Sequence, residues 1–141
     1  MYNAFMHLNW LAVVVTAVIG FMVGWLWFSP VLFVKPWMAE MKMTEQTMKE
    51  AAQKGMAWFF AQGFVYTLLS TIGLAVLITA HRSAGWCKGA ELGALVGVLL
   101  VGPRLLNGGV WEQRSLKLNA IVVGHELVLF VVQGAILAVW R

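Results

Sequence analysis

Apolar residues run along this chain in four long stretches, Phe5–Phe28, Met56–Ala80, Gly89–Leu106 and Leu116–Trp140, with polar segments between them. The hydrocarbon core of a bilayer is about 30 Å thick and takes about 20 helical residues to cross. The pattern therefore predicts an all-α fold: an integral membrane four-helix bundle in which residues 1–141 form a single membrane domain. The third stretch is the shortest and glycine-rich, and Pro103 is expected to end it. The short second and third connections leave room only for helical hairpins.

The eight tryptophans agree with these limits. Trp10, Trp25, Trp27, Trp37, Trp58, Trp86, Trp111 and Trp140 all fall near a predicted water–lipid boundary, as an aromatic belt requires. Composition adds little: 61% of residues are hydrophobic and 11% charged, against about a quarter charged in ordinary soluble domains.

The net charge of +4 raises the question of nucleic acid. The basic residues are scattered among membrane flanks without a clustered patch, so no nucleic-acid partner is expected. They bear on orientation instead. Lys35, Lys42, Lys49, Lys54, Arg104, Arg114 and Lys117 fall in the first and third loops, against Arg82, Lys88 and Arg141 elsewhere. That bias puts both termini outside and the first and third loops in the cytoplasm.

The first loop, residues 34–55, is expected to be a cytoplasmic amphipathic segment. Thr44 can cap a short helix, Glu45/Lys49 and Glu50/Lys54 stand four apart, and Gly55 can end it. Met38, Met41, Met48 and Ala52 give it an apolar side that suits a membrane surface; a solvated connector fits the same residues.

Spans one and three share a pattern: Gly20, Gly24, Leu26, Pro30 and Leu32 match Gly93, Gly97, Leu99, Pro103 and Leu105. Gly63 and Gly73 match Gly124 and Gly134 more sparsely. Two parallel-repeat hairpins would give such a pattern. The small faces of Gly20–Gly24 and Gly89–Gly93–Gly97 allow close helix approach, either of span one against span three or between copies of the chain.

The candidate chemistry lies in the fourth span. Asn119, Glu126 and Gln133 are spaced by seven and line one helix face, which should turn to protein or water. A carboxylate at this depth costs several kcal/mol unless something pairs with it. Arg104 is the expected partner of Glu126, with Tyr66 as hydrogen-bond neighbour. His125 points about 100° away from Glu126, so the two are not expected to share one pocket without a partner helix. Burial of Glu126 would suit a proton- or cation-coupled site, with His125 as relay; an equally simple reading is a lock that fixes helix register.

His125-Glu126 lacks the three- or four-residue spacing of a helical metal-ligand pair, Cys87 is the one cysteine, and no nucleotide, phosphate or hydrolase motif is present, so neither a metal nor a cofactor is implied.

Several segments resemble a known family. They are Asn9-Trp10-Leu11-Ala12-Val13, then Gly24-Trp25-Leu26-Trp27-Phe28-Ser29-Pro30-Val31-Leu32-Phe33, Lys35-Pro36-Trp37-Met38, Gly124-His125-Glu126-Leu127 and Gly134-Ala135-Ile136-Leu137-Ala138-Val139-Trp140. Together they resemble domain of unknown function 1761, which implies a small bacterial multi-pass protein of the inner membrane. The resemblance supplies no activity or catalytic residue, but it draws attention to Asn9, Trp27, Ser29 and Pro30.

The leading functional expectation is a small transporter or permeation protein, a homo-oligomer in the lipid bilayer that uses Glu126 on an unidentified small molecule or ion. The alternative is an accessory or scaffold protein whose buried polar residues only lock packing. An intramembrane enzyme acting on a lipid or quinone would need His125, Glu126 and Tyr66 to converge.

Overall fold

The computed structural model describes residues 2–53 and 55–140. Lys54 and Arg141, two of the basic residues in the charge bias, lie outside the described residues, as do the Glu50/Lys54 pairing and the side chains of Glu45 and Ala52. The elements are α1 (Tyr2–Met6), α2 (Trp10–Trp27), α3 (Val34–Glu40), α4 (Glu45–Gln53), α5 (Met56–His81), α6 (Trp86–Val96), a π-helical turn (Gly97–Val101), α7 (Gly102–Trp111) and α8 (Leu116–Val139). Among the described residues there is no strand. Four helical stretches, Trp10–Trp27, Met56–His81, Trp86–Trp111 and Leu116–Val139, are long and apolar enough to cross a bilayer, which marks a membrane protein.

The first span is shorter than its hydropathy suggests. It starts at Trp10, not Phe5, because the Asn9 side chain accepts a hydrogen bond from the Ala12 N–H at 3.1 Å and caps the helix there. Its other end stops where Ser29-Pro30 turns the chain: the Ser29 hydroxyl accepts from the Val31 N–H at 3.3 Å, and the Phe33 N–H reaches back to the Trp27 carbonyl.

The third span is longer than expected. Pro103 does not end it, and the helix runs on to Trp111. Proline lacks an N–H, and its ring collides with the carbonyl four residues back. The chain widens to a π turn just before it, the Gly102 N–H bonding to the Gly97 carbonyl.

Helix α8 touches every other span. Gly20 and Gly24 of α2 meet Leu129, Gln133 and His125, while Gly93 and Gly97 of the third span meet Phe130 and Leu127. The two small faces therefore pack on the fourth span, where packing against each other or against another copy was expected. The closest approach is between α6 and α8, where Gly89 and Gly134 bring backbone against backbone. The sparser match of Gly73 to Gly134 has no such counterpart, since nothing lies within 4 Å of where a Gly73 side chain would start.

Glu40 of α3 forms an ion pair with Lys117 at 3.6 Å and accepts from the Ser115 hydroxyl, so the first and third loops share one end of the protein. At the opposite end the Gly85 N–H donates to the Ala138 carbonyl, joining the second loop to the end of α8. The tightest apolar packing lies towards that second-loop end, around Leu8, Val13, Leu74, Ile78, Leu137 and Ala138.

Candidate functional site

Towards the first-loop end, the space between α2 and α5 opens into a cavity of about 530 Å³. Helix α2 contributes Gly20, Phe21, Gly24 and Trp25, with Phe28 just past its end, and α5 contributes Met56, Phe60, Gly63 and Thr67. The glycines leave room where side chains would fill it, and Phe21 meets Phe60 edge-on at 6.2 Å. The first loop closes over the end. Trp37 of α3 packs on Phe28 at 5.7 Å, and Met48 of α4 faces the cavity. The amphipathic segment is thus two short helices, and part of its apolar side faces protein. The expected Thr44 cap forms, its hydroxyl accepting from the Thr47 N–H at 3.2 Å.

His125 is the one ionisable side chain among the described residues that line this cavity. It reaches the wall because Gly24 has no side chain: a Cβ there would sit 3.1 Å from Nε2. Phe28 flanks the imidazole at 5.2 Å, and Trp27 does so at 6.1 Å. The Trp27 indole N–H donates to the Ile121 carbonyl at 3.1 Å. That carbonyl belongs to the helical turn that also holds the His125 backbone, so Trp27 ties α2 to α8 beside the imidazole.

Nδ1 of His125 lies 3.1 Å from Oε1 of Glu126. The two residues leave the helix in different directions, as adjacent positions must, and only His125 borders the cavity. Their side chains nevertheless meet. They do so because both side chains reach further than the Cα–Cβ directions alone suggest, although the two do not share the cavity. Nε2 is buried and has no hydrogen-bond partner among the described residues.

The Arg104–Glu126 pair does not form. Among the described residues the side chain that meets the acid is that of His125, and Arg104 is exposed. The π turn supplies the reason. It absorbs one extra residue, which turns everything after it by about 100° relative to an uninterrupted α-helix. Gly102 and Gly109 thereby come to face Val123 and Asn119 of α8, and Arg104 is carried away from them. Tyr66 is also not a neighbour of Glu126: it stands 66% exposed on the outer face of α5.

The face shared by Asn119, Glu126 and Gln133 turns inward at both ends. Asn119 packs against Gly109 and is buried, Gln133 is fully buried, and the Glu126 side chain is 27% exposed. Gln133 Nε2 donates to the Thr71 hydroxyl at 2.8 Å, and that hydroxyl donates to the Thr67 carbonyl at 2.7 Å. Gly20 makes room for the amide, since a Cβ there would lie 2.5 Å from Nε2. Three spans meet at this amide.

A family model described as "Protein of unknown function (DUF1761)" matches residues 11–138. The chain belongs to that family. No curated protein and no solved structure matches it. The four residues that the resemblance singled out each have a place in this family member. Asn9 caps α2, Trp27 binds the Ile121 carbonyl beside His125, and Ser29 and Pro30 line the cavity. Sequence reasoning missed Thr71 and the contact of Gly24 with His125. The Thr67–Thr71 pair, four apart on one helix face, is the signal that could have pointed to the first.

Proposed function

We propose that the cavity binds a mainly apolar small molecule that carries one hydroxyl-type donor, and that the protein handles this molecule in the membrane as a small permeation protein. The observation that carries the reading is the unpartnered Nε2 of His125 at the wall of a cavity of about 530 Å³, a size within the range of small-molecule sites. A Glu126 carboxylate accepting from Nδ1–H selects the tautomer with a lone pair on Nε2, which can accept from a ligand O–H. Protonating the imidazole turns Nε2 into a donor and reverses that preference, with Glu126 balancing the charge. Glu126 thus acts through His125, which ties the intramembrane carboxylate to proton-coupled binding.

A buried acceptor left unpaired costs about 1–3 kcal/mol, so a ligand that pairs it gains that amount. The cavity lies at the first-loop end, and passage to the other end would form between copies in a homo-oligomer. The bacterial inner membrane, with both termini outside, is the setting this proposal assumes. The packing-lock alternative has specific support at Gln133, whose bond to Thr71 joins α8 to α5 away from the cavity. At His125 the unpaired nitrogen favours a binding role.

Trp25 and Trp37 line the cavity, so their fluorescence reports on occupancy. A brominated alkylphenol should quench it saturably in detergent-solubilised protein, and the unbrominated phenol should compete. In His125→Phe the dissociation constant should rise about tenfold, the loss of one hydrogen bond to a buried partner. Equal affinity in the two proteins would sink the proposal.

A further inference from the structure

A second cavity, of about 270 Å³, lies at the second-loop end, between the end of α5 and the start of α6. Its lining is polar where the first cavity is apolar: His81, Arg82, Ser83, Lys88 and Glu91, with Leu92 and Leu95 below. Arg82, Lys88 and Glu91 are exposed, and among the described residues none of them is in an ion pair. Two cations and a carboxylate thus surround one space without neutralising one another. Ser83 is only 4% exposed and lines the same cavity.

The order of residues along α6 adds direction. Lys88, Glu91, Leu92 and Leu95 stand at i, i+3, i+4 and i+7, so they form one stripe on the helix surface. Its charged end is at the mouth of the span, and its leucine end runs towards the middle of the membrane. Leu95 is 49% exposed, and Trp86, two residues before the stripe, is 65% exposed, as suits a residue at the lipid boundary.

We infer that this cavity is a headgroup site for a phospholipid whose phosphodiester carries a primary amine. The Arg82 guanidinium and Lys88 ammonium donate to the two non-bridging phosphate oxygens, one of which also accepts from the Ser83 hydroxyl. The Glu91 carboxylate accepts from the lipid ammonium, and one acyl chain follows Leu92 and Leu95 inward. Charge-assisted bonds of this kind are the strong ones, and arginine suits phosphate geometry in particular. The site is independent of the cavity bordered by His125, so either can fail without the other.

The test is thermal unfolding of the delipidated full chain in detergent micelles, titrated with dioleoyl-phosphatidylethanolamine. We expect a saturable rise in Tm, no comparable rise with dioleoylglycerol, and at least a tenfold higher half-saturating lipid concentration in R82A/K88A. Glu91→Gln should weaken the ethanolamine lipid severalfold and leave dioleoyl-phosphatidylglycerol unaffected. All three side chains are on the surface, so the ligand-free Tm of each variant should match the parent and serves as the folding control. An equal rise with dioleoylglycerol would reduce the site to acyl packing and overturn the inference. An unchanged response in R82A/K88A would do the same. Equal stabilisation by soluble phosphoethanolamine at the same concentration would assign the site to a free phosphate compound and exclude the lipid.

Discussion

Replacing Gly89 by alanine should separate the third span from the fourth. A Cβ at Gly89 would lie 2.8 Å from the carbonyl carbon of Gly134 and closer still to its oxygen, whereas ordinary contact begins at 3.4 Å. The obstacle is helix backbone, which cannot rotate aside as a side chain can. Helix α6 must therefore retreat by at least roughly 0.6 Å, and a radial gap of that order forfeits about a quarter to a half of each dispersion contact along the seam. Overpacking typically costs about 1–3 kcal/mol; with a backbone obstacle we expect about 2 kcal/mol, or a 30-fold change in the unfolding equilibrium. The comparison is Gly73→Ala, where nothing lies within 4 Å of the new methyl and the gain in helix propensity is up to about 1 kcal/mol. Reversible unfolding in mixed micelles with increasing dodecyl sulfate measures both. The packing argument is refuted if Gly89→Ala is no less stable than Gly73→Ala.

Two further outcomes follow from single contacts. Gln133→Met should cost less than about 1 kcal/mol, since it removes the bond to Thr71 but also a buried amide oxygen that lacks a partner among the described residues; Gln133→Ala should cost about 2–4 kcal/mol through the void it leaves. Micelle unfolding of the two variants side by side distinguishes a packed volume from an indispensable hydrogen bond. Ser115→Ala should cost about 1 kcal/mol, because the Ser115 hydroxyl caps α8 at the Leu118 N–H, and the loss should show as a lower Tm with unchanged quenching by the alkylphenol.

The long-range organisation was legible because lipid imposes it. Span length, tryptophan placement and the grouping of the first and third loops at one end all follow from a slab of fixed thickness. Helix ends were legible where a side chain sets them, as Ser29-Pro30 does, and were missed at Asn9, whose cap hydropathy cannot register. The glycine faces were visible in the spacing, but a small face says only that something comes close, not which helix does. Arg104 was misplaced for a subtler reason. Helical spacing assumes one uninterrupted period, and the five-residue step from Gly97 to Gly102 breaks it. The cavity has no motif at all, because it is a space between α2 and α5 that the first loop happens to close.

The uneven packing along the span axis bears on how the protein opens. Resistance to local unfolding follows the density of buried apolar contacts. It is therefore highest around Val13, Leu74 and Leu137 near the second loop, and lowest around the cavity. A fluctuation that parts α2 from α5 would start at the first-loop end and stop at the packed end, as a peg opens at one end and holds at the other. On the proposed binding role, a molecule would then enter within the lifetime of the folded state, with the packed half keeping the spans in register while the other half yields.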